Sequence, residues 1–157
     1  MLHIQEIMSR PAVTCASTDT LHAAAQLMWD HDCGAIPVTD ETGKLVGILT
    51  DRDICMATYT RGQAPQQIPV AEAMAKQVFS CRSDEPVSQA EQLMSDYQIR
   101  RVPIVDYDDK PIGILSLNDI TRHVAAARSN NGERQAAIQT MSAICQHRRR
   151  APARARA

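Results

Sequence analysis

An α/β fold of two tandem β-α-β-β-α repeats, packed about a pseudo-two-fold axis and followed by one more helix, is predicted by three observations. Residues 7 to 54 align with residues 73 to 120 at a constant offset of 66, without a gap, and sixteen of the 48 aligned positions are identical. In both copies the apolar residues pass from strand-like to helical spacing and back in the same order. Neither copy is long enough to enclose a full core, so each must bury its apolar face against the other.

In the first copy, Val13-Thr14-Cys15 reads as a short strand, and Ser17 to Thr20 offer N-caps for a helix whose Leu21, Ala24, Ala25, Leu27 and Met28 recur at helical spacing. That helix is expected to end near Asp32-Cys33-Gly34, with the glycine in left-handed backbone. Ile36-Pro37-Val38 begins a strand, Asp40 to Gly43 is a turn, and Lys44 to Leu49 is the next strand. Thr50 or Asp51 then starts a helix to about Tyr59. The second copy gives strands at Val78 to Cys81, Val102 to Val105 and Pro111 to Leu115, with helices at Val87 to Tyr97 and Leu117 to about Ala127. Arg61 to Pro69 links the copies. The expected division is 1–64, 65–128, a C-terminal helix within 129–147 and a basic, disordered tail at 148–157. The helix, Glu133 to Gln146, carries Ala137, Ile138, Met141, Ile144 and Cys145 on one stripe that must be covered by the body or by a partner.

Composition narrows the function. Apolar residues make up 44% but aromatics only 3%, so the core is aliphatic and no aromatic platform for single-stranded nucleic acid exists. Five of the 17 basic residues, Arg148, Arg149, Arg150, Arg154 and Arg156, follow His147, which leaves twelve against 18 acidic side chains and a net charge of −6 before the tail. Such a tail can touch nucleic acid or membrane phosphates, but Arg with Ala and Pro at a terminus reads first as a solvated end. No apolar run of membrane-spanning length and no signal peptide is present, so a cytoplasmic protein is expected. Five cysteines, an odd number without a C-x-x-C pair, argue against a secreted disulfide framework and against a zinc site; buried reduced thiols are the default, with a redox role open for the repeat-equivalent Cys15 and Cys81. Histidines 3, 22, 31, 123 and 147 lack ligand spacing, so no metal is expected. No nucleophile and base stand out, and the chain reads as non-enzymatic.

Chemistry concentrates where the last strand of each copy meets its helix: Gly47-Ile48-Leu49-Thr50-Asp51-Arg52-Asp53 and Gly113-Ile114-Leu115-Ser116-Leu117-Asn118-Asp119. Both are Gly-apolar-apolar-Thr/Ser-x-x-Asp. A helix N-terminus can hold a phosphate and the hydroxyl adds a donor, while a carboxylate one turn in can accept both hydroxyls of a ribose diol. The same pattern is a near-miss of the capping box, in which hydroxyl and acid satisfy the helix's own N–H groups. Two copies in register, each after a glycine that lets something approach the backbone, leave both readings standing. Arg52 can serve a phosphate or pair with Asp51 or Asp53.

On these motifs the chain resembles tandem cystathionine-β-synthase (CBS) domain pairs, also called Bateman modules, and is similar to small stand-alone bacterial ones, including hypoxic-response proteins. The resemblance rests on the two Thr/Ser-x-x-Asp strand ends, the strand starts at Pro37-Val38 and Pro103-Ile104, and the Met-x-x-x-x-Val/Phe openings at Met8 and Met74. It implies two clefts for adenosine-containing ligands such as AMP, ATP or NAD, with Asp53 and Asp119 on ribose and Thr50 and Ser116 near phosphate. It also implies that Val13-Thr14 and Phe79-Ser80 line the adenine pockets. A basic residue before the strand proline often contacts phosphate in that family. Arg100-Arg101 stand there in the second copy and Gly34-Ala35 in the first, so the second cleft is expected to be the better site, served by Arg101, Ser116 and Asp119. The function implied is an adenine-nucleotide-sensing regulatory module, a homodimer that signals to an unknown protein partner. The alternative is a ligand-free dimerisation or interaction module, or nucleic-acid contact through the arginine tail.

Overall fold

Two three-stranded sheets, each backed by two helices, carry the fold in a computed structural model that describes residues 1–126 and 130–146. The first repeat contains β1 (Cys15–Ala16), α1 (Leu21–Asp30), β2 (Ala35–Thr39), β3 (Leu45–Thr50) and α2 (Asp51–Arg61). The second contains β4 (Cys81–Arg82), α3 (Val87–Tyr97), β5 (Arg101–Val105), β6 (Pro111–Ser116) and α4 (Leu117–Ala125), and α5 (Asn131–Cys145) follows. In each sheet the short first strand runs parallel to the middle one and the last strand antiparallel to it. The registers match at the 66-residue offset, from Pro37 opposite Ile48 to Pro103 opposite Ile114, and both bulge at the same place. Two equivalent β-α-β-β-α units thus pack about a pseudo-two-fold axis. The hairpin tips meet across it, where the Leu45 N–H donates to the Asp109 carbonyl at 2.9 Å.

Packing interlocks the two units more deeply than sequence order suggests. The N-terminal segment belongs to the second core: Ile4 is fully buried there among Val102, Ile104 and Leu115. The linker belongs to the first, where Ile68 and Val70 are buried with Leu21, Ile36 and Leu49. Each crossing segment then adds a bridge to the sheet it reaches, Ser9 to Ile114 and Ala75 to Ile48. The glycines of the two motifs make room for this crossing. A Cβ on Gly47 would stand 2.6 Å from Met74 Sδ and 2.9 Å from the Ala75 carbonyl, and one on Gly113 would stand 2.8 Å from the Ser9 carbonyl and 3.0 Å from Met8 Sδ. What approaches the backbone at both glycines is protein, and the recurrence of Met8 with Gly113 and of Met74 with Gly47 is one packing device used twice.

Four sequence expectations are corrected. The first strand of each repeat begins at the cysteine and not at Val13 or Val78, because the ladder with β2 or β5 holds only two residues. The left-handed residue after α1 is Asp32, φ 48, and its counterpart after α3 is Gln98, φ 50; Gly34 has ordinary φ and is instead crowded by Asp51 and Arg101. On α5 the buried face is Ala137, Thr140 and Ile144, while Ile138 is 60% exposed, Met141 40%, and Cys145 is exposed too. The stripe straddles the edge of the contact because the helix meets α3 and α4 through Ala137, Thr140 and Ile144. Last, Cys55 and Cys145 are exposed and Cys33 half-buried, so buried thiols are confined to the repeat-equivalent Cys15 and Cys81. Burial, with help from Asp19 and Glu85 respectively, pushes both of these to about 12, which suppresses the reactive thiolate. The expected end of α4 at Ala127 and the arginine-rich stretch 148–157 lie outside the described residues.

Candidate functional site

A cavity of about 710 Å³ opens between the repeats and is lined from both of them. It lies within the range typical of small-molecule sites, about 300–1,000 Å³. From the first repeat come Ala35, Ile48 and the β3–α2 junction Thr50 to Asp53; from the second come Gln77-Val78-Phe79 and the strand start Arg100, Arg101 and Pro103. The fold brings these together because the linker crosses back onto β3 at Ala75 before it leads into β4. Seven expected site residues therefore share one wall system: Thr50, Arg52, Asp53, Phe79, Arg100, Arg101 and Pro103. Val13, Thr14, Pro37, Ser80, Ser116 and Asp119 do not line it. Val13 packs on the first core and Pro37 is fully buried within β2.

The capping reading of the two motifs is realised in both. Thr50 Oγ1 accepts from the Asp53 N–H at 3.1 Å, and Asp53 Oδ2 accepts from the Thr50 N–H at 2.9 Å and from Thr50 Oγ1 at 2.7 Å. Ser116 and Asp119 repeat the box, with the Ser116 N–H donating to Asp119 Oδ2 at 2.8 Å. Beyond that the two carboxylates differ. Asp119 Oδ1 accepts from Ser9 Oγ at 3.2 Å and pairs with Arg122, and the side chain is 3% exposed. Asp53 is half-buried, and among the described residues its Oδ1 accepts no hydrogen bond. Sequence explains the difference, since at the 66-residue offset Ser9 corresponds to Ala75 and Arg122 to Met56. The first repeat lacks both groups that occupy the second acid.

The arginines follow the same asymmetry, opposite to the sequence expectation. Arg100 and Arg101 belong to the cavity of Thr50 and Asp53, not to a cleft built on Ser116 and Asp119. The Arg101 guanidinium and the Asp51 carboxylate both reach the Gly34 backbone, 3.4 Å and 3.0 Å from where a Cβ would stand. Burial raises the nearby Cys33 thiol and Arg101 partly offsets this. Arg52, Arg100 and Arg101 form no ion pair among the described residues, so the pairing of Arg52 with Asp51 or Asp53 does not occur. The three guanidinium groups share the cavity with the Asp51 and Asp53 carboxylates, which leaves one positive charge in excess, and each guanidinium can give two parallel hydrogen bonds to a phosphate. Sequence reading missed Ala35, Gln98 and Ile144, which also line the cavity. For Ala35 the signal existed, because it is the positional counterpart of Arg101. No group of three or more His, Cys, Asp or Glu side chains among the described residues could hold a metal.

Comparison with known proteins agrees with this architecture. The family model of the CBS domain matches residues 4–59 and 70–126. The CBS domain-containing protein YhcV of Bacillus subtilis is 39% identical over 120 residues, 76% of this chain and 84% of that protein. Hypoxic response protein 1 of Mycobacterium tuberculosis is 30% identical over 145 residues, 92% of this chain and 95% of that one. Among solved structures, the CBS domain pair of protein MJ0100 in complex with 5′-methylthioadenosine and S-adenosyl-L-methionine superposes with a TM-score of 0.71 at 33% identity, covering 78% of this chain and 95% of that one. Hypoxic response protein I with two coordinated zinc ions superposes with a TM-score of 0.70 at 30% identity, covering 77% and 98%.

Proposed function

The chain belongs to the CBS domain family, and from that premise we propose that it is a regulatory module that binds an adenine nucleotide in the cavity between its repeats. The observation that carries the reading is the meeting of a free carboxylate oxygen, Asp53 Oδ1, with three unpaired guanidinium groups in one cavity. A ribose diol supplies hydroxyl donors for the first, and a phosphate supplies acceptors for the second. Ile48, Val78, Phe79 and Pro103 offer apolar walls for a purine. The adenosine-type ligands named for the MJ0100 domain pair support the purine assignment, and the arginines favour AMP or ATP over an uncharged nucleoside.

Asp53 is the ribose contact in this reading, and Arg101 with Arg52 and Arg100 the phosphate contacts. Thr50 serves through its helix N-terminus, and Ser116 with Asp119 holds structure. The ligand-free interaction reading is thereby favoured for the second motif alone. Signalling requires only that the nucleotide bind one arrangement of the repeats better than another. Association as a homodimer is part of the proposal, with Trp29 84% exposed and Tyr59 80% exposed on the open helical face of the first repeat. No helix among the described residues is long and apolar enough to cross a membrane.

Calorimetric titration with AMP, ATP and adenosine tests the proposal. One strong site for the phosphorylated ligands, weakened in Asp53→Ala and insensitive to Ser116→Ala, is the expected result. No binding of any of the three refutes the nucleotide assignment.

A further inference from the structure

The repeats alone do not close the cavity. Ile144, on the last turn of α5, is one of its lining residues and is 7% exposed. Gln98 lines the cavity too, immediately after α3, in left-handed backbone with φ 50. Its Nε2 donates to the carbonyls of Ala143 at 3.3 Å and Gln146 at 3.2 Å. The Ala143 carbonyl also accepts from the N–H of the capping residue Gln146 at 3.4 Å, so one side-chain amide here ties the C-terminal cap of α5 to the residue that follows α3. The residues that follow Gln98 face the ligand space. Ile99, Arg100 and Arg101 follow it into the cavity wall, and Tyr97 before it stacks on the cavity residue Phe79, with ring centroids 3.7 Å apart and planes at 20°. A single stretch of five residues thus clasps α5 with one side chain and meets the cavity with its neighbours.

The first repeat has no such device. Asp32 occupies the position of Gln98, also left-handed at φ 48, but a carboxylate has no proton to give a carbonyl. The short turn Pro65–Gln67 packs on α1, but among the described residues no long helix lies across α1 and α2 as α5 lies across α3 and α4.

We propose that docking of α5 and occupancy of the cavity are one linked equilibrium, with Gln98 as the positioning residue and Ile144 as the wall that the bound nucleotide completes. The proposal rests on the nucleotide reading of the cavity. A ligand seated against Ile144 and the arginine pair stabilises the stretch that holds α5, and an undocked α5 removes a wall and frees that stretch. By linkage the two effects carry the same factor. Release of α5 would bare the α3–α4 face, the counterpart of the face that carries Trp29 in the first repeat, so ligand level would set whether a second helical face is open to a partner.

The test uses the full chain with hydrogen–deuterium exchange of residues 131–145 and AMP titration, in the wild type and in Gln98→Gly. Glycine accepts the left-handed backbone, so this variant removes the amide without adding strain. AMP is expected to slow exchange in α5 of the wild type, and Gln98→Gly to weaken AMP and speed α5 exchange by about five-fold or more. Ile144→Ala, which keeps the clasp, is expected to weaken AMP in the same direction. AMP that binds the wild type without slowing exchange in α5, or binds Gln98→Gly as well as the wild type, overturns the coupling and leaves the nucleotide reading intact. Failure of AMP and ATP to bind the wild type overturns both.

Discussion

Asp53 and Asp119 occupy the same place in two copies of one motif, close the same capping box, and diverge in what holds the second carboxylate oxygen. Asp119 is buried and spends that oxygen on Ser9 and Arg122; Asp53 faces the cavity with it unbound among the described residues. The two substitutions that separate them, Ser9 against Ala75 and Arg122 against Met56, lie in different elements, one on the crossing segment and one on the motif helix. The same acid in a duplicated capping box can therefore be a fully engaged structural clamp in one copy and keep an open oxygen in the other, set by residues outside the box.

Removing the two acids is the strongest way to break the comparison. Asp119→Ala removes the buried carboxylate shared by the Ser116 N–H, the Ser9 hydroxyl and Arg122, and hydrogen bonds to a charged group contribute about 1.5–3 kcal/mol, so a loss of about 2 kcal/mol in unfolding free energy is expected. Asp53→Ala removes one exposed-side cap and should cost about 1 kcal/mol. Urea denaturation of both variants measures the difference, and equal losses would show that the two acids do the same job.

Ligand binding should rank them the other way. Charge-assisted hydrogen bonds contribute about 1.5–3 kcal/mol, so Arg101→Ala is expected to weaken AMP by about ten- to hundred-fold and adenosine hardly at all. Asp53→Ala should weaken both ligands, since both carry the ribose diol. Titration calorimetry reads these losses directly; equal losses for AMP and adenosine in Arg101→Ala would assign that arginine to the fold.

The glycines test what the two copies still share. Gly47→Ala and Gly113→Ala each drive a methyl into the crossing segment, and overpacking of this kind costs about 1–3 kcal/mol. The two losses should be similar, because a backbone carbonyl crowds each position, Ala75 at 2.9 Å from a Cβ on Gly47 and Ser9 at 2.8 Å from one on Gly113. Thermal unfolding of the pair checks this, and a large difference would show that the crossing is not equivalent in the two copies.

The smallest effect concerns the face that α5 covers. Glu91 of α3, whose counterpart is Ala25, has its carboxyl raised first by burial and then by Glu133 of α5, which lies 4.0 Å from His123 of α4. A raised carboxyl means that the folded state disfavours the charged form, so the stability is complete below the ordinary value of 4.5 and is lost as pH rises through the raised one. Glu91→Gln should therefore stabilise the protein at neutral pH by about 0.5 kcal/mol, after solvent screening, and not well below pH 4.5. Denaturant midpoints at the two pH values show whether that difference exists.

Sequence by itself determined the duplication, the order of elements and the two junction motifs, because periodicity, turn residues and capping are local, and a gapless offset lets each copy check the other. The junction motif named Thr50 and Asp53 as candidates, and the resemblance to CBS pairs added Phe79, Arg101 and Pro103. The tertiary structure decided which of them meet. The chain crosses so that residues 3–10 complete the second unit and 68–75 the first, and a crossing of that kind leaves no periodic trace, since Ile4, Ile68 and Val70 are isolated apolar residues in short turns. That crossing sends Arg100 and Arg101 to Asp53, places Ser9 on Asp119, and brings Ile144 to the cavity wall. Local sequence fixes what a residue can offer chemically; which partner receives the offer depends on contacts between residues far apart in the chain.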